Sequence, residues 1–173
     1  AAFDSAVEGQ PIAEGNVGGG TGMITHEFKG GTGTSSRVVR IDAATYTVGA
    51  LVQANYGSRE LFRVAGVPVG QVIGADVVPS HQTMPREAGS IIVILATDAP
   101  LIPIQCQRLT RRATTGLAWV GGIGANGSGD IFLAFSTANH VRQKDRVSDV
   151  RMIAPAAITD LFLAAAEATE EAI

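Results

Sequence analysis

A chain of 173 residues, 46% apolar and 17% charged, carries enough apolar material for the core of one globular domain and lies far from the composition of disordered segments. A net charge of −3 with few aromatic residues offers no basic footprint for nucleic acid, and no apolar run reaches the length that crosses a bilayer. Cys106 is the single cysteine, which excludes an internal disulfide framework and a cysteine metal cluster.

Residues 1–10 read as the tail of a helix and contain no initiating methionine, so the chain is expected to start inside a longer protein. The lack of a targeting segment then says nothing about compartment. Cytoplasm is the working expectation, with the periplasm left open. Next come five glycines within residues 15–22. No Gly-Lys-Ser/Thr follows and no clean strand precedes them, so a loop packed tightly against a neighbouring strand is expected in place of a phosphate cradle. A second cluster, Gly30-Gly31-Thr32-Gly33-Thr34, leads into a strand.

An antiparallel pair follows, with strands over 37–41 and 46–54 around a turn at 42–45, ending at Asn55-Tyr56-Gly57. Residues 61–64 and 67–70 read as two short extended pieces. Residues 71–88 are rich in turn formers and read as an exposed segment, the kind of place where chain cleavage is tolerated. That segment ends at Gly89-Ser90. The apolar, β-branched run 91–96 reads as a strand buried on both faces.

Asp98 is expected to cap a helix with Pro100 in its first turn. Ile102, Cys106, Leu109, Ala113 and Leu117 recur at helical spacing, which makes Cys106 a quiet core thiol. Arg108, Arg111 and Arg112 fall off that stripe, as a solvated face or as cations near the helix C-terminus. Residues 117–124 read as the next strand, and 131–137 as another, joined into a hairpin by the polar loop 125–130. A charged connection over 141–151 precedes a last helix opened by Pro155, with Ile158, Leu161, Phe162 and Ala165 on one face. Glu167, Glu170 and Glu171 oppose its dipole, so the helix is expected to continue past this chain. There are no internal repeats, and the mixture of strand pairs and helices argues for α+β layers.

For chemistry, His26, His81 and His140 are scattered and give no metal-ligand spacing. His26-Glu27 reads as a surface or capping pair before it reads as part of a triad. Asn126-Gly127-Ser128-Gly129 imitates half of a nucleophile elbow but is expected to join two strands. The Gly89–Ser90 bond is of more interest. If it opens, Ser90 carries a free α-amine beside its hydroxyl, a nucleophile and its own base on one residue. The hydroxyl can reach the preceding carbonyl and shift the acyl group from nitrogen to oxygen, and water then hydrolyses the ester. Gly89 leaves that carbonyl uncrowded. The freed amine, with an unperturbed pKa of about 7.7–8.0, works as a base near neutrality. Ser128 and Asp130 stand ready to orient it, and Asn55 supplies a neutral N–H donor for an oxyanion. On spacing alone, a Gly-Ser that simply begins a strand remains open.

Four stretches in order carry a resemblance: Glu14-Gly15-Asn16-Val17-Gly18-Gly19-Gly20-Thr21-Gly22-Met23, Val52-Gln53-Ala54-Asn55-Tyr56-Gly57, Gly89-Ser90-Ile91-Ile92-Val93 through Ala96-Thr97-Asp98-Ala99-Pro100, and Asn126-Gly127-Ser128-Gly129-Asp130-Ile131-Phe132 through Asn139. Together they resemble the DmpA-type family of L-aminopeptidase/D-Ala-esterase/amidases, which includes the β-peptidyl aminopeptidases. The resemblance implies an αββα sandwich like that of N-terminal-nucleophile hydrolases, with different connectivity. It implies one partial domain over 1–173 that cuts itself at Gly89–Ser90, with 1–89 the end of an α chain and 90–173 the start of a β chain. Ser90 becomes the nucleophile, Ser128 and Asp130 orient and polarise it, and Asn55 is the oxyanion donor. Some relatives carry Glu at the place of Asp130, so the shorter acid has to reach further.

The implied function is a self-processing serine aminopeptidase or amidase acting on short peptides, amides or esters, with tolerance for D- or β-amino acids. The implied partners are a small peptide or amide substrate and further copies, as a homo-oligomer of αβ units. Neither nucleic acid nor membrane is implied, nor any cofactor or metal. Relatives extend beyond this chain at both ends, and their N-terminal part adds strands and the residues that bind the substrate's amino group. Two alternatives are an acyltransferase of the ornithine acetyltransferase type, disfavoured because those enzymes normally use Thr, and a non-catalytic binding domain of the same fold.

Overall fold

The computed structural model describes residue 7, residues 9–80 and residues 89–173. A small hairpin of β1 (Ile24–Thr25) and β2 (Phe28–Lys29) turns at His26 and Glu27, both in the left-handed region at φ 49 and 66. The main sheet follows. β3 (Gly31–Ile41) and β4 (Ala44–Asn55) form a long antiparallel pair about a tight turn, with Asp42 at φ 53. β5 (Ser90–Thr97) pairs antiparallel with β4, and β6 (Ile131–Ser136) pairs parallel with β5, giving the order β3-β4-β5-β6.

A parallel pair needs a crossover, and α2 (Pro103–Val120) supplies it; the short α1 (Val69–Val72) lies earlier in the chain. The last helix, α3 (Thr159–Ala172), packs on α2 and across β3 and β4. Both long helices cover one face of the sheet. Toward them point Val48, Val52, Ile91, Val93 and Leu95, fully buried against Leu109 of α2 and Leu161 of α3. Each such side chain contributes about 1.5–3 kcal/mol by leaving water. The architecture is α+β, as expected, with helices layered on a mixed sheet.

The tight-loop reading of residues 15–22 holds. Gly15 bridges to Thr32, and a Cβ on Gly20 would stand 2.6 Å from the Thr32 nitrogen and 2.9 Å from the Gly31 Cα. Asn16 fastens the loop by donating to the carbonyls of Gly20 and Met23 at 2.9 and 3.2 Å.

Several expectations are corrected. Residues 117–124 are not a strand: α2 runs through Val120 and ends on Gly121, which caps it in the left-handed region at φ 105. β6 therefore makes no hairpin with that segment and pairs with β5. The stretch Leu117-Ala118-Trp119-Val120 is apolar enough for either structure, and Leu117 and Val120 close the buried side of the helix. The helix begins at Pro103, where Gln105 accepts from the Ile102 N–H at 3.3 Å; Asp98 instead accepts from the Thr47 N–H at 2.6 Å. Arg108 and Arg112 are not simply solvated, since both guanidinium groups lie over the Phe162 ring, at 5.1 and 4.2 Å. Cys106 is half-buried, and burial pushes its thiol upward.

β5 is not buried on both faces. Ile91, Val93, Leu95 and Thr97 are buried, while Ile92 is 42% exposed. Among the described residues nothing layers the far side of the sheet as the helices layer the near side. Residues 61–70 are not two extended pieces. They hold the end of a 3₁₀ turn (Arg59–Leu61), one Val64–Val67 bridge and the start of α1. Pro155 opens a 3₁₀ turn before α3 proper. Two of the acids of α3, Glu167 and Glu171, are partnered by Arg37 of β3. The expected helix tail over 1–10, His81 and the stretch 81–88 of the exposed segment lie mostly or wholly outside the described residues.

Candidate active site

The site gathers where β4 ends, β5 begins and the loop into β6 arrives. Asn55 is the last residue of β4 and Ser90 the first of β5, and antiparallel register sets them directly opposite each other. Paired residues share a sheet face, and theirs is the face away from the helices, since the neighbours Ala54 and Ile91 are the buried ones. The parallel pairing of β5 with β6 then brings residues 128–130 alongside. The Gly129 N–H donates to Ser90 Oγ at 2.9 Å. Asp130 Oδ1 accepts from the Ile91 N–H at 3.0 Å and from the Ser128 hydroxyl. The aspartate thus reaches Ile91, the chain neighbour of Ser90, without the extra methylene of a glutamate.

Asn55 is oriented by β1. The Ile24 N–H donates to its Oδ1 at 3.0 Å. Because an N–H can only donate, that bond fixes which end of the amide is oxygen and leaves the Nδ2 hydrogens as the site's donor. Gly89 sits at φ 118, where a Cβ would stand 2.4 Å from the Asn55 carbonyl oxygen and 3.0 Å from the Tyr56 Cα. Only glycine fits there. All five residues singled out from the sequence (Asn55, Gly89, Ser90, Ser128 and Asp130) therefore meet in one place.

A cavity of about 500 Å³ opens on the side of Gly89, Ser128 and Asp130, while Ser90 and Asn55 stand behind its lining. Its walls include Gly89, Ser128 and Asp130 on one side and Leu61, Leu117 and Ile123 on another. The charged side chains that line it are Glu60 and Asp130, both acids. Tyr56 also lines it. Its phenol is held far above its ordinary pKa by burial, with the charge of Asp130 adding to the effect, so it stays protonated.

Sequence reasoning missed the Gly129 N–H, which no side chain announces, and the wall formed by residues 121–124, hidden by reading them as strand. It also misplaced His26, which is no surface residue: its ring is fully buried behind Tyr56. Glu27 does cap, accepting from the Arg59 N–H at 3.2 Å. Among the described residues no cluster of His, Cys, Asp and Glu has the spacing to hold a metal ion, and no helix is long and apolar enough to cross a membrane.

A family model described as peptidase family S58 matches residues 1–173. The chain is 49% identical, over 99% of its length, to a β-peptidyl aminopeptidase of Sphingosinicella microcystinivorans, and it covers 46% of that protein. It superposes with a TM-score of 0.86, at 49% identity, on an L-aminopeptidase/D-Ala-esterase/amidase from Ochrobactrum anthropi, a structure described as a prototype for the serine aminopeptidases and a new variant among the Ntn hydrolase fold. That match covers 99% of this chain and 46% of the other. A β-aminopeptidase from a Burkholderia species matches with a TM-score of 0.80 and 55% identity, over 94% of this chain and 46% of that one. The chain thus spans about half the length of the curated relatives it matches.

Proposed function

The chain belongs to peptidase family S58, and on that premise we propose that it is the nucleophile-bearing part of a self-processing serine aminopeptidase that releases N-terminal residues from short peptides, amides or esters. The observation that carries the reading is the placement of Ser90. It follows a glycine pressed against the Asn55 carbonyl, sits opposite Asn55 in the ladder, and has the Gly129 N–H on its hydroxyl oxygen.

Processing comes first. Ser90 Oγ attacks the Gly89 carbonyl carbon, the Gly89–Ser90 C–N bond breaks as nitrogen takes a proton, and an ester to Oγ remains. Water cleaves the ester, leaving a carboxylate on Gly89 and both a free hydroxyl and a free α-amine on Ser90. In turnover the amine takes the Oγ proton as oxygen attacks the substrate carbonyl. The Asn55 Nδ2–H donates to the oxyanion, a contact worth about 2.7–4 kcal/mol where it has been removed from other hydrolases. The ammonium returns the proton to the leaving amine, and water clears the acyl ester. Asp130 holds the Ile91 amide and the Ser128 hydroxyl, and so fixes the backbone from which the nucleophile projects.

The acids Glu60 and Asp130 on the cavity wall suit a substrate with a free ammonium group. Tolerance for D- or β-amino acids and assembly into oligomers of αβ units belong to the same proposal. So does a division into an α chain ending at Gly89 and a β chain beginning at Ser90. Intact-mass measurement of the full-length protein is the test. Two chains meeting at Gly89/Ser90, with Ser90→Ala staying whole and losing at least about a thousandfold in aminoacyl-p-nitroanilide turnover, are the expected result. A Ser90→Ala protein still cut at that bond refutes it.

A further inference from the structure

The β1–β2 hairpin contributes no residue to the chemistry above, yet it is fastened to the strand end that does. The Ile24 N–H holds Asn55 Oδ1 at 3.0 Å, Thr25 Oγ1 donates to the Ala54 carbonyl at 2.8 Å, and the His26 N–H donates to the Tyr56 carbonyl at 2.8 Å. The His26 ring adds two more bonds. The Ser58 carbonyl can only accept, so Nδ1, 3.1 Å away, carries the proton. Nε2 then presents a lone pair and accepts the Tyr56 hydroxyl at 3.3 Å.

The ring is fully buried, stacked on Phe62 and edge-on to Tyr56, with centroids 4.9 Å away in each case. Gly57 makes room for it, since a Cβ there would stand 2.5 Å from Nδ1. Keeping it in place requires two consecutive non-glycine residues in the left-handed region, a conformation retained only where the surroundings over-determine it. The bonds fall on residues 54, 55, 56 and 58, so that Asn55 lies among them.

Resting on the reading of Asn55 as oxyanion donor, we propose that His26 is a positioning residue. As a neutral ring it splints residues 54–58 from inside and holds the Asn55 amide aimed at the developing oxyanion. It touches no substrate and acts through Asn55. An interaction that matters only once the oxyanion forms governs kcat and leaves KM largely alone.

The test is carried out on the full-length protein, with rates expressed per processed chain as counted by intact mass. His26→Leu removes both ring bonds at similar volume. It is expected to lower kcat about tenfold, short of the roughly 100–1,000-fold of losing an oxyanion donor outright, with KM changed less than about threefold. His26→Asn, which keeps a donor near the Nδ1 position, is expected to recover most of that loss. Should His26→Leu fail to fold, Tyr56→Phe removes one ring bond at unchanged ring volume, and a severalfold loss in kcat at constant KM is expected of it. Processed variants with kcat within about twofold of native overturn the proposal, as does a joint loss in kcat and KM that His26→Asn does not relieve. A native protein that never opens at Gly89–Ser90 strikes earlier: it removes the nucleophile reading and this one with it, whereas an active native enzyme indifferent to His26 removes this one alone.

Discussion

His26 shows at the scale of one residue how packing sets chemistry. Burial opposes charging the ring and outweighs the Ser58 carbonyl and the Glu27 carboxylate, which favour the proton, so its pKa in the folded chain lies below the ordinary 6.5. The unfolded chain therefore binds this proton at higher pH than the folded one. Stability from this group is whole above about pH 6.5 and drains away as pH falls toward the lowered folded value. Replacing His26 with Asn removes that term. Melting temperatures recorded from pH 7.5 down to pH 5 should fall less steeply for His26→Asn than for the native protein, and parallel curves would contradict the account. Nothing in the dipeptide His26-Glu27 signals burial, because the groups that bury it, Tyr56 and Phe62, come from some thirty residues further along the chain. Ser90, Asn55, Ser128 and Asp130 were legible in the sequence for the opposite reason, since each sits in a short motif whose local chemistry singles it out.

Among the elements, α2 and α3 depend on a close approach that glycine permits. A Cβ on Gly116 would stand 2.3 Å from the Ala166 carbonyl oxygen and 2.8 Å from the Thr169 Cβ. Two effects compete in Gly116→Ala. The helix gains about 1 kcal/mol in propensity, while overpacking in a fitted interface costs about 1–3 kcal/mol. With one of the opposing atoms part of the backbone, relief requires one helix to shift, so the steric cost should prevail. Urea unfolding is expected to show a net loss of stability for Gly116→Ala, and a gain would mean that the helices part freely. The same interface explains why 117–120 is helix. In isolation an apolar run of four suits a strand equally well, but Leu117 and Val120 continue the buried stripe that Leu109 and Ala113 begin. Gly121 and Gly122 then donate back to the Ala118 and Leu117 carbonyls at 3.0 and 2.9 Å, ending the helix.

Among the described residues the main sheet carries both long helices on one face and leaves much of the other face open. On the side away from the helices, Ile92, Ile131, Leu133 and Phe135 are 42–59% exposed and adjoin one another across β5 and β6. An apolar face of this kind marks a contact surface or an aggregation liability. The 173-residue chain alone is expected to bind a hydrophobic dye and to self-associate on a sizing column. Changing Ile131, Leu133 and Phe135 together to Thr should weaken both, and an unaltered, dye-free monomer in either form would refute the expectation. Sequence by itself determined the α+β mixture, the ordered motifs and the residues fit for chemistry, because alternation, glycine clusters and reactive pairs are local properties of a chain. Only the tertiary structure decided that β6 lies parallel beside β5, that one face of β5 stays open and that a buried histidine braces Asn55. Those outcomes depend on which distant segments meet, and strand register and helix packing fix that only when the whole chain has closed on itself.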